Sequence, residues 1–213
     1  MVNILTVEQT TDMIINACDA IVGQKAYLTE VDSRIGDGDH GIGMSGGMEK
    51  AKAALAANRP FADVNSVFQT TGMTMLNSMG GASGVIFGSM FLSGVKGMAT
   101  LTELDGESFT KIMRTSLEAI KARGGAKVGD KTMVDALEPA VLAMEKTEKQ
   151  DLVRLLAEAQ AAALEGVEAT KNYIAKFGRA KSLMERAVGW QDAGATSVAI
   201  IFTAMHQYVQ GLS

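Results

Sequence analysis

Residues 32–43 read Asp-Ser-Arg-Ile-Gly-Asp-Gly-Asp-His-Gly-Ile-Gly and lead directly into a segment with helical periodicity that extends to about Ala57. Three carboxylates, Asp32, Asp37 and Asp39, fall within eight positions of this stretch. Carboxylates this close repel one another unless a cation offsets their charge, and Mg²⁺ and Ca²⁺ prefer oxygen ligands of this kind. The glycines between them allow the backbone to turn tightly and to approach a ligand. The stretch therefore predicts a divalent-metal site at the start of a helix.

This acidic stretch has two other possible interpretations. A polar surface turn is compatible with its composition, because Asp and Gly are both common turn residues, and this alternative stays open. A calcium-binding helix–loop–helix does not fit the spacing. If that loop began at Asp37, Ile42 would stand in place of the invariant glycine and Met48 in place of the bidentate glutamate.

The composition favours packed helices in one domain covering residues 1–213. Apolar residues make up 47% of the chain but aromatic residues only 5%, and there are only two prolines. A net charge of −4 gives no basic footprint for nucleic acid. Cys18 is the only cysteine, so no internal disulfide can form, and a reducing, cytoplasmic location is expected.

Periodicity predicts about eight helices and no convincing strand. The first helix begins at a capping box of Thr6 and Gln9, and Pro139 is expected to kink a later one. The uncharged stretch 64–95 contains polar residues and a glycine break, so it is interpreted as two buried helices and no membrane span. The predicted helices are 6–23, 40–57, 64–79, about 84–96, one through 109–120 that residues 123–125 terminate, 133–146, 152–176 and a last one that carries 198–209, with a further short helix through 27–31.

Two glycine-rich stretches are candidate phosphate sites. Asp37 and Asp39 precede a helix N-terminus, where unpaired N–H groups and the helix dipole favour anions. The turn Gly80-Gly81-Ala82-Ser83-Gly84 can form a second cradle with the Ser83 hydroxyl as a donor, although close helix packing explains the glycines equally well. His40 adjoins the carboxylates and is equally compatible with a capping or phosphate-contacting role and with proton transfer.

The basic, poorly periodic segment 176–186 contains Arg179 and leads to Trp190. The Arg179 guanidinium can meet phosphate oxygens bidentately, and a solvated basic loop is the alternative. Trp190 is expected to anchor its loop, with ligand stacking as the second possibility.

In combination, the motifs resemble the nucleotide-binding L subunit of dihydroxyacetone kinase over nearly the whole chain. These motifs are Glu30-Val31-Asp32, Gly36 to Gly41, Gly80 to Gly84, Gly129 to Met133, Gly178-Arg179-Ala180 and Asp192 to Ser197. The sequence departs from the family pattern at several rim positions. Among them, Gly43 stands where Asn is usual, Val85 where Pro is usual, and Trp190 where His is usual.

The resemblance implies an all-α, single-domain barrel of about eight antiparallel helices with a nucleotide site at one end. It also implies ADP or ATP, two Mg²⁺ ions and a separate K subunit that holds a ketose covalently. The implied Mg²⁺ ligands are Asp32, Asp37 and Asp39. The implied phosphate contacts are His40, Gly41, Ile42, Gly43, Ala82 and Ser83, and the implied remainder of the nucleotide site is Gly124, Met133, Arg179, Asp192, Ala193 and Gly194.

Several questions stay open at this point. The phosphoryl donor can be free ATP or a phosphohistidine protein of the phosphotransferase system that recharges a permanently bound ADP. The nucleotide domain of a fatty acid kinase is an alternative, although its loop typically has Thr where this chain has His40. A non-enzymatic nucleotide sensor that binds a transcription regulator is another.

Overall fold

The computed structural model describes residues 1–213 and contains nine α-helices and two short β-strands. Two 3₁₀ segments, Ser93–Val95 and Arg179–Ala187, complete the regular structure. The strands are β1 (Ile4–Thr6) and β2 (Glu103–Asp105). The helices are α1 (Val7–Gly23), α2 (Lys25–Ser33), α3 (His40–Ala57), α4 (Val64–Ser78), α5 (Gly81–Leu92), α6 (Gly106–Gly124), α7 (Val134–Lys146), α8 (Leu152–Thr170) and α9 (Ala193–Gln210).

Eight of the helices close into a ring. Each of α3 to α8 packs against the next helix in chain order, and α1 packs against both α3 and α9. The short helix α2 lies outside this order, against α3 and α9. A core of 47 buried apolar residues is shared among the helices, with the Phe68 ring 6.4 Å from Phe91 and 6.5 Å from Phe109 between centroids. The predicted all-α barrel is confirmed.

Local sequence signals explain where several helices begin and end. The Thr6 hydroxyl accepts from the Gln9 N–H, and the Gln9 side chain accepts from the Thr6 N–H, which is the predicted capping box. Asp105 caps α6 by accepting from the Ser108 N–H, and Gly125, which adopts the left-handed conformation, terminates α6 after Gly124.

Three details of the predicted elements were wrong. Strands β1 and β2 pair antiparallel, with buried Leu5 opposite Leu104; each has three residues, too few to show alternation. Helix α8 ends at Thr170, about six residues early, and α5 ends at Leu92 before a 3₁₀ turn. Helix α7 contains Pro139 in its interior, and the kink expected there stays a prediction.

The up-and-down course of the ring gathers four connections at one end of the barrel. They are residues 24–39, which include α2, together with 79–80, 125–133 and 171–192. All predicted site residues lie in these connections or in the adjoining helix turns. No helix is both long enough and apolar enough to cross a membrane.

Candidate nucleotide and metal site

The acidic loop folds back on the end of α2. The N–H groups of Ile35 and Gly36 both donate to the Asp32 carbonyl, at 3.1 and 2.5 Å. A Cβ at Gly36 would overlap the Asp32 carboxylate and lie 3.0 Å from the Asp32 carbonyl oxygen, so any other residue here would displace the Asp32 side chain. As a result, one carboxylate oxygen from each of Asp32, Asp37 and Asp39 lies within 4.8 Å of the others. The structure therefore brings the three predicted metal ligands together in a geometry that fits a hard cation.

The three carboxylates lie close enough together to help raise the pKa of one of them. Partial desolvation, followed by the charges of Asp37 and Asp32, raises the pKa of Asp39 above its ordinary value. Arg179 Nε lies 2.8 Å from Asp37 Oδ2 and provides a positive charge at the cluster. The Arg179 side chain is 78% exposed, so this ion pair is its principal anchor to the loop.

Helix α3 begins directly after the cluster with few partners for its first N–H groups. No side chain caps it at Asp39, although the His40 N–H lies 3.3 Å from Asp32 Oδ2. The Gly43 N–H donates to the Asp39 carbonyl, which leaves Gly41 and Ile42 as the first-turn N–H donors without a side-chain cap. Such donors suit a phosphate.

The side chain of His40 makes its contacts within the protein interior. Its ring is buried, Nε2 lies 2.8 Å from the Ser197 hydroxyl, and its centroid is 6.0 Å from that of Phe87. Burial lowers the pKa of His40, which favours the neutral imidazole. The side chain therefore joins α3 to α9, and this arrangement favours a structural role over proton transfer.

The second predicted phosphate cradle forms the first turn of α5. No side chain caps this helix at Gly80; Ala82 is exposed and Ser83 partly exposed. At Gly84 the packing explanation holds, because a Cβ there would lie 2.6 Å from the Met79 carbonyl oxygen. Gly124, at the end of α6, neighbours α5 through Ile86, whose Cδ1 would lie 3.7 Å from a Cβ at that glycine.

Asp192 caps α9 by accepting from the Ala195 N–H at 2.7 Å. Burial raises its pKa to about 7. Ala193 and Met133 are buried, whereas Gly194 is partly exposed and would place a Cβ 3.4 Å from Met133 Cβ. The three predicted nucleotide contacts 192–194 thus lie beside Met133, with the Asp192 carboxylate already engaged by the protein.

Sequence reasoning missed the roles of Lys131, Asp135 and Thr170. Asp135 accepts from the N–H groups of Gly129 and Thr132 at 2.6 and 2.7 Å and so shapes the loop before α7. Lys131 Nζ donates to the Thr170 carbonyl at 2.5 Å and also to the Trp190 carbonyl. The motif Gly129 to Met133 was the available signal, but nothing in it indicates which loops a lysine will reach.

The Trp190 side chain packs on the acidic loop. The Arg34 guanidinium carbon lies 5.0 Å from the centroid of its ring, within the range of a cation–π contact. The indole is 43% exposed. This contact supports the predicted anchoring role.

A cavity of about 350 Å³ separates the acidic loop from the 3₁₀ segment that carries Arg179. It is lined by Ile35, Gly36, Asp37, Arg179, Ser182 and Leu183. A second cavity of about 360 Å³ lies among α1, α8 and α9, and none of the three carboxylates lines it. The first cavity is the one adjacent to the candidate chemistry.

The fold and site together define a closed helical barrel whose one end carries a carboxylate cluster suited to a hard cation and two uncapped helix N-termini suited to an anion such as phosphate. The family model described as the DAK2 domain matches residues 34–207. The chain belongs to the DAK2 domain family, and the resemblance to the L subunit of dihydroxyacetone kinase is confirmed.

Two curated relatives cover most of the chain. The "PEP-dependent dihydroxyacetone kinase 1, ADP-binding subunit DhaL" of Listeria innocua is 42% identical over 183 residues, which is 86% of this chain and 87% of that protein. The "PTS-dependent dihydroxyacetone kinase, ADP-binding subunit DhaL" of Lactococcus lactis is 34% identical, covering 96% of this chain and 99% of that protein.

A solved structure shares the fold. The dihydroxyacetone kinase from C. freundii in complex with AMP-PNP and Mg²⁺ superposes with a TM-score of 0.72. It is 24% identical and covers 97% of this chain, while this chain spans 35% of that one.

Proposed function

We propose that this chain is the ADP- or ATP-binding subunit of a dihydroxyacetone-type ketose kinase, which phosphorylates a short ketose held on a separate K subunit. The observation that carries the proposal is the convergence of Asp32, Asp37 and Asp39 within 4.8 Å at the N-terminus of α3. A surface turn has no need to hold three carboxylates against their mutual repulsion, whereas a Mg²⁺–nucleotide site does.

In this proposal the three carboxylates hold two Mg²⁺ ions, which would neutralise the charge of the transferring phosphoryl group when bound. The α3 turn from His40 to Gly43 and the α5 residues Ala82 and Ser83 hold the phosphates. Arg179 adds a guanidinium opposite Asp37. The remaining nucleotide contacts are Gly124, Met133, Asp192, Ala193 and Gly194.

The chain itself supplies positioning and charge and neither the nucleophile nor the base. The His40 ring is buried against Ser197. Cys18 is buried, and desolvation raises the pKa of its thiol to about 12, so it is not a thiolate near neutral pH. Activation of the ketose hydroxyl is therefore assigned to the K subunit. Phosphoryl transfer depends mainly on positioning and electrostatics, so this division of labour is chemically sufficient.

The donor follows from how tightly ADP is held. If ADP is a permanent coenzyme, a phosphohistidine protein of the phosphotransferase system recharges it in place; if it exchanges, ATP is the donor. The names of the two DhaL relatives favour the first route. The single buried cysteine supports a cytoplasmic location for this chemistry.

Two measurements test the proposal. Native mass spectrometry of the dialysed protein should show stoichiometric ADP for the phosphotransferase route, or an empty site that takes up ATP–Mg for the ATP route. The purified chain alone should not phosphorylate dihydroxyacetone, and turnover should appear when a K-type subunit and the matching donor are added.

Asp105→Asn is a control that alters a helix-capping aspartate at the other end of the barrel. It should bind ADP–Mg as wild type does, whereas Asp39→Asn should bind more weakly. No binding of ADP–Mg or ATP–Mg by the wild type, or turnover without a K subunit, would refute the assignment.

A further inference from the structure

Residues 171–190, called here the 171–190 segment, leave the end of α8 and return to the start of α9 across the acidic end of the barrel. The segment carries Arg179, which reaches Asp37. Between residues 176 and 188 only Ala187 is buried, and Phe177 and Met184 are exposed. Met184 also has a φ of 50°, an unfavourable value for a residue with a side chain. The packing of the 171–190 segment is therefore too sparse to fix the position of Arg179.

Hydrogen bonds at the two ends of this segment supply the missing restraint. The Gly189 N–H donates to the Lys171 carbonyl at 2.7 Å, and the Asp192 N–H donates to the Thr170 hydroxyl at 3.0 Å. Lys131 bridges the same two ends from a third element, because its Nζ donates to the carbonyls of both Thr170 and Trp190. The neighbouring Asp130 carbonyl also accepts from the Lys176 N–H at 3.0 Å.

Lys131 is held in this position at a cost. Its side chain is only 2% exposed, and burying an ammonium group is unfavourable unless it is fully hydrogen-bonded. Its backbone φ is 61°, which is uncommon for a residue other than glycine. Two unfavourable features at one residue beside a candidate site point to a role in that site.

We propose that Lys131 is a positioning residue for the nucleotide site: its ammonium group clasps the two ends of the 171–190 segment and so places Arg179 opposite Asp37 and the nucleotide phosphates. This inference rests on the proposed function. Lys131 acts through Arg179, since its ammonium group is engaged by the two carbonyls.

Lys131→Met tests the clasp, since methionine keeps most of the side-chain length and removes the charge and the donors. The matched control is Lys149→Met. Lys149 Nζ also donates to two carbonyls, those of Met144 and Thr147, but in the α7–α8 connection at the opposite end of the barrel. Thr170→Val is a second test variant that keeps the shape of the side chain and removes the hydroxyl, which accepts from the Asp192 N–H and donates to the Val167 carbonyl within α8.

The first readout is amide hydrogen exchange of peptides covering residues 176–188 in the nucleotide-free protein. Lys131→Met and Thr170→Val should each increase the exchange rate there at least fivefold, and Lys149→Met should leave it within twofold of wild type. Because no nucleotide is present, this result decides the clasp separately from the proposed function. Unchanged exchange in both test variants would refute it.

The second readout is a double-mutant cycle on the dissociation constant for ADP–Mg, measured by calorimetry. Lys131→Met should weaken binding about fivefold to tenfold in the wild-type background and less than twofold in an Arg179→Met background. A merely structural lysine would give equal losses in both backgrounds, and that result would overturn the positioning role. If the wild type binds no ADP–Mg, the placement of Arg179 toward phosphates is overturned together with the proposed function.

Discussion

Replacing Asp39 with Asn should stabilise the metal-free protein, because it removes one of three mutually repelling carboxylates. Two unit charges separated by about 4.8 Å repel by about 1 kcal/mol in a water-like dielectric. Asp39 is exposed, so the screened value applies, and Arg179 offsets part of the repulsion. We expect a net gain of about 1 kcal/mol, or about 2–4 °C in the melting temperature for a chain of this size.

Asp37→Asn is the informative comparison. The Asp37 carboxylate repels the same neighbours, but it also pairs with Arg179 at 2.8 Å. Its removal therefore loses an attraction of similar size, and the melting temperature should change by less than about 1 °C. Each variant replaces one carboxylate with an amide, so the difference between their melting temperatures reports how much more strongly Arg179 stabilises Asp37 than Asp39.

Thermal unfolding should be followed in EDTA and again with Mg²⁺ and ADP. In EDTA at neutral pH, Asp39→Asn should melt highest. With Mg²⁺ and ADP the order should reverse, because at a given concentration the ligand stabilises more the variant to which it binds more tightly. The pH dependence gives a further check. The folded-state pKa of Asp39 is raised, so the wild type in EDTA should gain stability as pH falls through that pKa, and Asp39→Asn should lack this gain.

The metal assignment would be refuted if Asp39→Asn melted below wild type in EDTA and also bound ADP–Mg with wild-type affinity. The first result would show that the carboxylates are not in net repulsion. The second would show that the nucleotide does not depend on them.

Three further outcomes are expected. Gly41→Ala should lower the free energy of unfolding in urea by about 2 kcal/mol or more, since its Cβ would lie 2.4 Å from an α2 carbonyl oxygen. Gly43→Ala should be neutral or stabilising by up to about 1 kcal/mol, because a Cβ there would have nothing within 4 Å. Equal changes in the two variants would contradict this packing. Ser197→Ala should cost about 1–3 kcal/mol by leaving the buried His40 Nε2 without its partner, and an unchanged urea midpoint would contradict this. Asp192 has a folded-state pKa of about 7 against an ordinary 3.8, so between pH 3.8 and about 7 the folded protein binds a proton that the unfolded chain does not. The free energy of unfolding should therefore fall as pH rises through this range. Asp192→Asn, which retains a capping side chain, should show a flatter pH dependence.

The features that the sequence determined are local ones. The acidic loop could be interpreted because its carboxylates and glycines lie within twelve consecutive residues, 32–43, and the turn geometry needs no distant partner. The start of α1 followed from a capping box spanning four residues, and α6 followed from apolar residues at helical spacing. The order of the family motifs then implied the barrel, and with it the gathering of the site residues at one end.

What only the tertiary structure decided are contacts between residues far apart in the chain. The His40 ring meets Ser197 across 157 positions, and Lys131 meets the carbonyls of Thr170 and Trp190 across 39 and 59 positions. Periodicity reports which face of a helix is buried, but it carries no information about which loop a buried polar group will find. A buried ammonium or imidazole group needs a hydrogen-bond partner, and closure of the helical ring determines which groups serve, because it brings the four connections together.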